Sequence, residues 1–407
     1  MSNRQTLSSF NELDAESKLT VTASSVTATS LANDDTAYVR KSFGAGYFSA
    51  DFEHSFKFAY SYANSTPTLH LWGVTTGTDT PSTEIAAGTG TYIYLTLETT
   101  GKLTVNEGAA GSNHATSTLT TISAGNDYFF RICRDEATGT HGTLYVYIYK
   151  DITCQVLLEK LGVSLSAKTD FTYLYVLAAY ETGSSDPWII CTTSDWLLEN
   201  HPYALKEMIT AIRYHLRETA ASFWSDAELT VYINQAIREI AEKTGCIQKT
   251  ENVTTTYGIR TVSFTGYKVV AVEYMPAGSD SRGRYLRLIT PTMAGHVEYN
   301  LHDSEPEYWF EQDNAIGIDP IPQGLYVLRL YFTDHPEADL SGNYDVPEIP
   351  PAFRHIIILN AVYQAMVKDK KISVALLAYS MAASDMAFHT ADKIINIPSG
   401  LRNLRSQ

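Results

Sequence analysis

The side chains best able to do chemistry here are histidines, cysteines, paired carboxylates and an excess of tyrosines. The 11 histidines are scattered. His296 and His302 lie near Glu298 and Asp303, a set able to offer a metal two imidazoles and two carboxylates, although polar residues so spaced in a loop ordinarily face water. Asp34-Asp35 and Asp135-Glu136 carry the oxygens that Ca2+ takes at the rim of a sandwich, and equally the charge that keeps turns soluble. Cys133, Cys154, Cys191 and Cys246 include no C-x-x-C spacing, so they read as free, mostly buried thiols of a protein made in a reducing cytoplasm. There is no H-E-x-x-H, P-loop, G-x-S-x-G or EF-hand loop, and Gly44-Ala45-Gly46 lacks the third glycine of a dinucleotide fingerprint. Nor is there the E-x-D-x-E spacing that a jelly-roll glycosidase places on a concave strand. The expectation is a protein without catalytic residues, metal or cofactor.

The 27 tyrosines admit two readings. Tyr145, Tyr147 and Tyr149 share one face of a strand, and Tyr173 and Tyr175 share another. Such rings fill cores and half-buried sheets. They also stack on the apolar faces of pyranoses, with Asn and Asp holding the hydroxyls, and Trp72 and Trp188 are candidate glycan contacts of this kind. Trp196, in Ser194-Asp195-Trp196-Leu197, reads instead as packed in the last strand of its domain.

The elements that must position these groups change character near residue 200. The chain has 407 residues, length for two or three domains. Residues 1–200 carry 11 Lys+Arg and 21 Asp+Glu, net −10, and residues 201–407 carry 19 and 24, net −5. A total of −15 argues against wrapping nucleic acid or lying on an anionic membrane. No secretory h-region opens the sequence, and the apolar runs fall short of the ~20 residues of a membrane helix.

The first half reads as period-2 strands. Phe52, His54, Phe56, Phe58 and Tyr60 alternate with other residues; Leu69 and Leu71, and Tyr92 and Tyr94, do the same, and runs follow over 128–133, 143–149 and 171–179. Turn residues such as Gly101-Lys102 and Gly125-Asn126-Asp127 separate them, which predicts a two-sheet antiparallel sandwich over 36–200. Residues 1–35, polar and rich in Ser and Thr, are expected to form an extended arm with an edge strand.

The second half, 201–395, opens and closes with 3.6-residue periodicity. Leu205, Met208, Ile209, Ile212 and Leu216 give one helical stripe over ~202–219. Ser225-Asp226-Ala227-Glu228 is a capping box that opens a second helix over ~226–244, with Gly245 closing it. Strand patterning over ~251–334 includes a hairpin at Asp313-Asn314 and a rigid Asp319-Pro320-Ile321-Pro322 loop. Helices over ~351–368 and ~371–395 complete a four-helix bundle with an inserted β-domain, so the fold class is multi-domain: an all-β sandwich followed by an α+β domain. Residues 396–407 form a tail.

The ordered set Trp224-Ser225-Asp226-x-Glu228-Leu229, then Tyr232-Ile233-Asn234-x-Ala236, resembles the head–tail connector (adaptor) proteins of tailed phages. Tyr308-Trp309-Phe310, the 316–322 run with its P-x-P turn, Leu328 to Phe332, and Ile349-Pro350-Pro351 follow in the family's order, so the resemblance covers ~203–395. More loosely, Leu144 to Asp151 and Ile189 to Leu197 resemble strands of concanavalin-like jelly-roll modules, but without the glycine after the aspartate. The adaptor resemblance implies a virion structural protein of the neck: a homo-oligomeric ring, typically of twelve copies, joining portal protein to tail proteins. Genomic DNA would pass its lumen unbound, which an acidic chain suits. It also implies that the tail residues Ile394, Ile395, Ile397, Leu401, Arg402, Leu404 and Arg405 order on docking to the portal. The rival expectation is a glycan-binding adhesin acting through the sandwich.

Overall fold

The computed structural model describes residues 4–45, 47–62, 68–77, 91–109, 112–180, 185, 188–218, 223–275, 283–293, 305–312 and 315–395. The set His296, Glu298, His302 and Asp303, the Asp313-Asn314 turn and Gly46 lie outside them. The chain divides into two compact units. The first is Met1–Glu207 with Gly342–Val346, and the second is Met208–Ser341 with Pro347–Gln407. The expected boundary at 200 therefore misses a five-residue piece of the first unit that lies far along the chain.

Unit 1 begins with a 3-10 turn, Leu7–Ser9, and then is all β. Its strands are β1 (Asn11–Asp14), β2 (Leu19–Val21), β3 (Ser25–Ala32), β4 (Ala37–Ser42), β5 (Phe52–Tyr62), β6 (Leu69–Thr75) and β7 (Tyr92–Leu97). They continue as β8 (Lys102–Ala109), β9 (Ser112–Thr121), β10 (Asp127–Asp135), β11 (Thr143–Tyr149), β12 (Leu157–Ser164), β13 (Tyr173–Ala179) and β14 (Trp188–Leu197). Two seven-stranded sheets result, β1-β4-β13-β6-β7-β8-β9 and β12-β11-β10-β5-β14-β3-β2. All their pairings are antiparallel, and their inner faces share one core. This is the expected two-sheet antiparallel sandwich. The expected N-terminal segment has its edge strands, β1 and β2, but is not an extended arm: Leu19, Val26, Ala28 and Leu31 of β2 and β3 are apolar and buried in the shared core.

Period-2 alternation decides which side chains enter that core. On β5, Phe56 and Phe58 point inward, and Trp196 stacks on Phe56 with centroids 4.4 Å apart while donating its indole N–H to Thr193 at 2.8 Å. His54 shares this inward face. It stacks on Phe52 at 4.5 Å, and its Nδ1 accepts the indole N–H of Trp72 at 3.0 Å, which puts its own proton on Nε2. On the outer face of the first sheet, the rings of Tyr94 and Tyr92 lie flat against Gly73 and Gly108, where a Cβ would come within 2.0 and 2.3 Å of them. Both tyrosines are buried, together with Tyr38 and Tyr175.

Unit 2 carries α1 (Leu205–Leu216, its first turn in unit 1), α2 (Asp226–Thr244), a β insert, α3 (Pro351–Lys368) and α4 (Ile372–Ile395). The insert strands are β15 (Gln248–Thr254), β16 (Thr261–Ser263), β17 (Lys268–Met275), β18 (Arg284–Tyr285), β19 (Arg287–Leu288), β20 (Tyr308–Gln312), β21 (Ala315–Asp319) and β22 (Val327–Thr333). They form two four-stranded sheets, β15-β22-β17-β18 and β16-β21-β20-β19, around one core that includes Val272, Trp309, Ile318, Leu328 and Leu330. Among the helices α2 packs on α3, α3 on α4, and α2 touches α4. α2 buries Leu229, Ile233, Ala236, Ile237 and Ile240, the stripe its spacing predicts. Gly245 ends it at φ +57, donating its N–H to the Ala241 carbonyl, a conformation that costs glycine nothing. No helix among the described residues is long and apolar enough to cross a membrane.

Burial holds the imidazoles of His54 and His70 down at a pKa of about 3, against an ordinary value of 6.5. Both are neutral in the fold, and between pH 6.5 and 3 they take up protons when the chain unfolds. Their contribution to stability is complete above pH 6.5 and declines as pH falls from 6.5 towards 3, by about 1.4 kcal/mol per pH unit for each. Urea unfolding of the sandwich is therefore expected to shift to lower denaturant between pH 7.5 and pH 5. An unchanged midpoint would mean that these histidines are not held neutral.

Candidate functional site

The motif residues that open α2 meet around one arginine. Arg213, near the end of α1 and almost wholly buried, donates Nη1 to Glu218 at 2.8 Å. Its Nη2 donates to the Trp224 carbonyl at 2.8 Å and to the Asp226 carboxylate at 2.6 Å. Glu218 also accepts the backbone N–H of Phe223 at 2.6 Å, so one ion pair fixes both ends of the α1–α2 connection. A buried charge is tolerated when it is paired and hydrogen-bonded in this way. Trp224 is buried and its indole N–H reaches the Ala365 carbonyl on α3 at 3.3 Å, which ties the start of α2 to the end of α3.

Half of the capping box forms as expected. The Ser225 hydroxyl accepts the Glu228 backbone N–H at 3.2 Å, a cap worth about 1 kcal/mol. The Glu228 carboxylate takes other partners, the Lys368 ammonium at 2.7 Å and the Tyr232 hydroxyl at 2.8 Å. These bonds, Lys368 first, hold the Glu228 carboxyl below its usual range. Lys368 also lies 4.9 Å from the centre of the Phe223 ring. Leu229 goes into the helical core. Asn234, two turns along α2, makes a reciprocal pair with Leu340, its amide donating to the Leu340 carbonyl and its oxygen accepting the Leu340 N–H, both at 3.0 Å. Arg354 does similar work on α3, bonding the carbonyls of Ile349 and Pro347.

Every motif residue thus braces a backbone or a partner helix. The cluster brings together no nucleophile and base, and among the described residues no three His, Cys, Asp or Glu side chains converge on a metal position. What unit 2 does offer is surface. From Ile372 to Ser384 α4 carries no charged residue, and Leu376, Leu377 and Met381 are 57%, 61% and 49% exposed. Its other face, Ala378, Ala382 and Met386, is buried. Ile394 and Ile395 are the last residues of α4; Ile397, Leu401, Arg402, Leu404 and Arg405 lie outside the described residues.

The candidate glycan residues are not assembled into a platform. Trp72 is fully buried beside His54, so it has no ring face for a sugar, which corrects that expectation. Trp188 is half-buried on β14, paired with Ala32. The ladder Tyr145, Tyr147 and Tyr149 faces outward on β11, yet Tyr147 and Tyr149 are buried with Tyr344, Val346 and Ala204, so the chain itself covers the stacking faces. Sequence reasoning missed Arg213, Arg354, Arg131 and Tyr344, because a buried charge or a covering loop leaves no periodic trace.

Unit 2 is thus an α+β domain with a braced helix hairpin, a β insert and an uncharged helix face. Residues 203–395 match the family model described as SU10 adaptor protein, a phage head–tail adaptor family. No curated protein matches the chain. Among solved structures, the chain is similar to an endo-β-1,4-glucuronan lyase from the fungus Trichoderma reesei, at 10% identity over 50% of this chain and 96% of that one, TM-score 0.32. It is also similar to a PL-14 alginate lyase from Aplysia kurodai (7% identity, 47% and 91%, TM-score 0.35) and a legume lectin-like domain from Entamoeba histolytica (11%, 47% and 94%, 0.32). Likenesses at these scores carry no functional argument.

Asn234→Ala strands both polar backbone groups of Leu340 and is expected to cost about 2 kcal/mol or more in urea unfolding. Asn234→Asp, which keeps the acceptor but sets an unpaired carboxylate against the Leu340 carbonyl, should cost at least as much. Equal stability of Asn234→Ala and wild type would refute the bracing role.

Proposed function

We propose that this protein is a structural, non-enzymatic adaptor of a tailed phage, a subunit of the ring that joins the portal to the tail. The observation that carries this reading is the adaptor-family match over residues 203–395, whose motif residues build the braced start of α2. The α4 face supports it. A helix surface lacking charge over 13 consecutive residues and exposing two leucines and a methionine is poorly suited to permanent contact with water, and a ring subunit has neighbours to cover it. The net charge of −15 fits a lumen that conducts DNA without gripping its phosphates. Residues 394–407 are the portal-binding segment in this reading, and the sandwich is an outward decoration. The covered tyrosine ladder and the buried Trp72 weigh against the glycan-binding alternative.

Electron microscopy of virions bearing a tagged chain is expected to find the tag as a ring at the neck. Deletion of residues 396–407 should leave the protein folded by circular dichroism while abolishing co-migration with portal in native gels. A tag confined to the distal tail tip, or undiminished portal binding by the deletion, would reject the ring position or the tail assignment respectively.

A further inference from the structure

The segment Gly342–Val346 belongs to unit 1 although β22 and α3, its flanking elements, belong to unit 2. It lies on the outer face of the second sheet. Alternation puts Glu53, Arg131, Cys133, Asp135, Tyr147 and Tyr149 on that face, opposite the core residues Phe56, Ile132, Val146 and Ile148. Arg131 and Glu53 are 2% and 3% exposed and form an ion pair at 2.7 Å. The other Glu53 oxygen accepts the His201 N–H at 2.9 Å, so this carboxylate is fully engaged.

Three consecutive side chains of the segment are each met by a complementary group. The Asn343 amide donates to Asp135 at 2.9 Å. The Tyr344 hydroxyl donates to the Arg134 carbonyl at 2.9 Å, and its ring is 1% exposed. The Asp345 carboxylate accepts from Tyr147 at 3.0 Å and pairs with Lys160. The backbone is read as well. Arg131 Nη1 donates to the Tyr344 carbonyl at 3.1 Å, and the N–H groups of Lys206 and Leu205 donate to the carbonyls of Asn343 and Asp345, each at 2.9 Å. Arg131 Nη2 is buried without a hydrogen-bond partner, a donor still unspent at the seat. Beneath the segment lie the buried thiols of Cys133 and Cys154.

We infer that the outer face of β5, β10, β11 and β12 is a peptide-recognition seat for a tight turn presenting an amide, a phenol and a carboxylate in succession, occupied in this chain by its own residues Gly342–Val346, where the Asp345 N–H donates to the Gly342 carbonyl at 2.9 Å. Packing alone would not need a match at three successive side chains and three backbone carbonyls. The inference does not rest on the adaptor reading: it stands on unit 1 alone.

The test uses the full chain and thiol labelling. In Tyr344→Ala, Cys133 and Cys154 should react with a thiol reagent faster than in wild type by about 10-fold or more, the change that loss of a buried hydrogen-bonded anchor makes in an opening equilibrium. Cys191, in the sandwich core, and Cys246, in unit 2, should keep their wild-type rates. Asp345→Ala, which removes no buried ring, should act in the same direction. A synthetic peptide of residues 340–348 added to Tyr344→Ala should restore protection of Cys133, and the same peptide with alanine for the tyrosine should not. Unchanged labelling of Cys133, a uniform rise at all four thiols, or no protection by the peptide would each overturn the inference.

Discussion

Arg131 and Glu53 place opposite charges against each other where water does not reach, on a sheet face that an ordinary sandwich leaves wet. Removing two charges from solvent is costly unless the remaining donors and acceptors find partners. In unit 1 those partners are His201, Tyr149 and the carbonyl of Tyr344, so the pair is tolerable only while residues around 201 and 344 are in place. The arrangement of the outer sheet, its buried tyrosines and its thiols follows from that constraint.

The same device recurs in unit 2 with different residues. Arg213, Asn234 and Arg354 each insert a polar head among apolar neighbours and bond to backbone that belongs to no helix or strand. Irregular segments carry their own unsatisfied N–H and carbonyl groups, and a side chain that satisfies them fixes the loop's path as well as its energy. This is why the Trp224 to Asn234 motif is an architectural signature. Its tryptophan and asparagine hold α3 and the Leu340 loop at set positions relative to α2.

How much of this was legible in the sequence depends on the range of the interaction. Ser225, Leu229, Ile233 and Gly245 announce α2 because cap, stripe and C-terminal turn are local events within one helix. Phe56 and Phe58, or Leu144, Val146 and Ile148, reveal their strands through simple alternation. Of the three strands within residues 11–32, β2 and β3 were obscured because Thr20, Ser25, Thr27 and Thr29 take their outward positions, residues that also suit a disordered arm, and β1, Asn-Glu-Leu-Asp, has no apolar alternation. The seat around Arg131 left no trace at all. Glu53 and Arg131 are 78 residues apart and Arg131 and Tyr344 are 213 apart, and neither separation has a periodicity to betray it. For the same reason the alternation that placed Tyr147 and Tyr149 on one face left both a half-buried sheet and a ligand surface open, and the position of Tyr344 decides between them.

The divided composition of unit 1 bears on how such a molecule changes over evolutionary time. A gene segment ending near codon 200 encodes every strand of the sandwich but not the five residues that cover its outer face. Recombination that grafted the sandwich onto another protein would carry bare charges and thiols unless the recipient already held a matching Asn-Tyr-Asp stretch. The two stretches of gene are thereby bound to a common inheritance, and exchange of the sandwich among related genes should favour breakpoints that keep both or replace both.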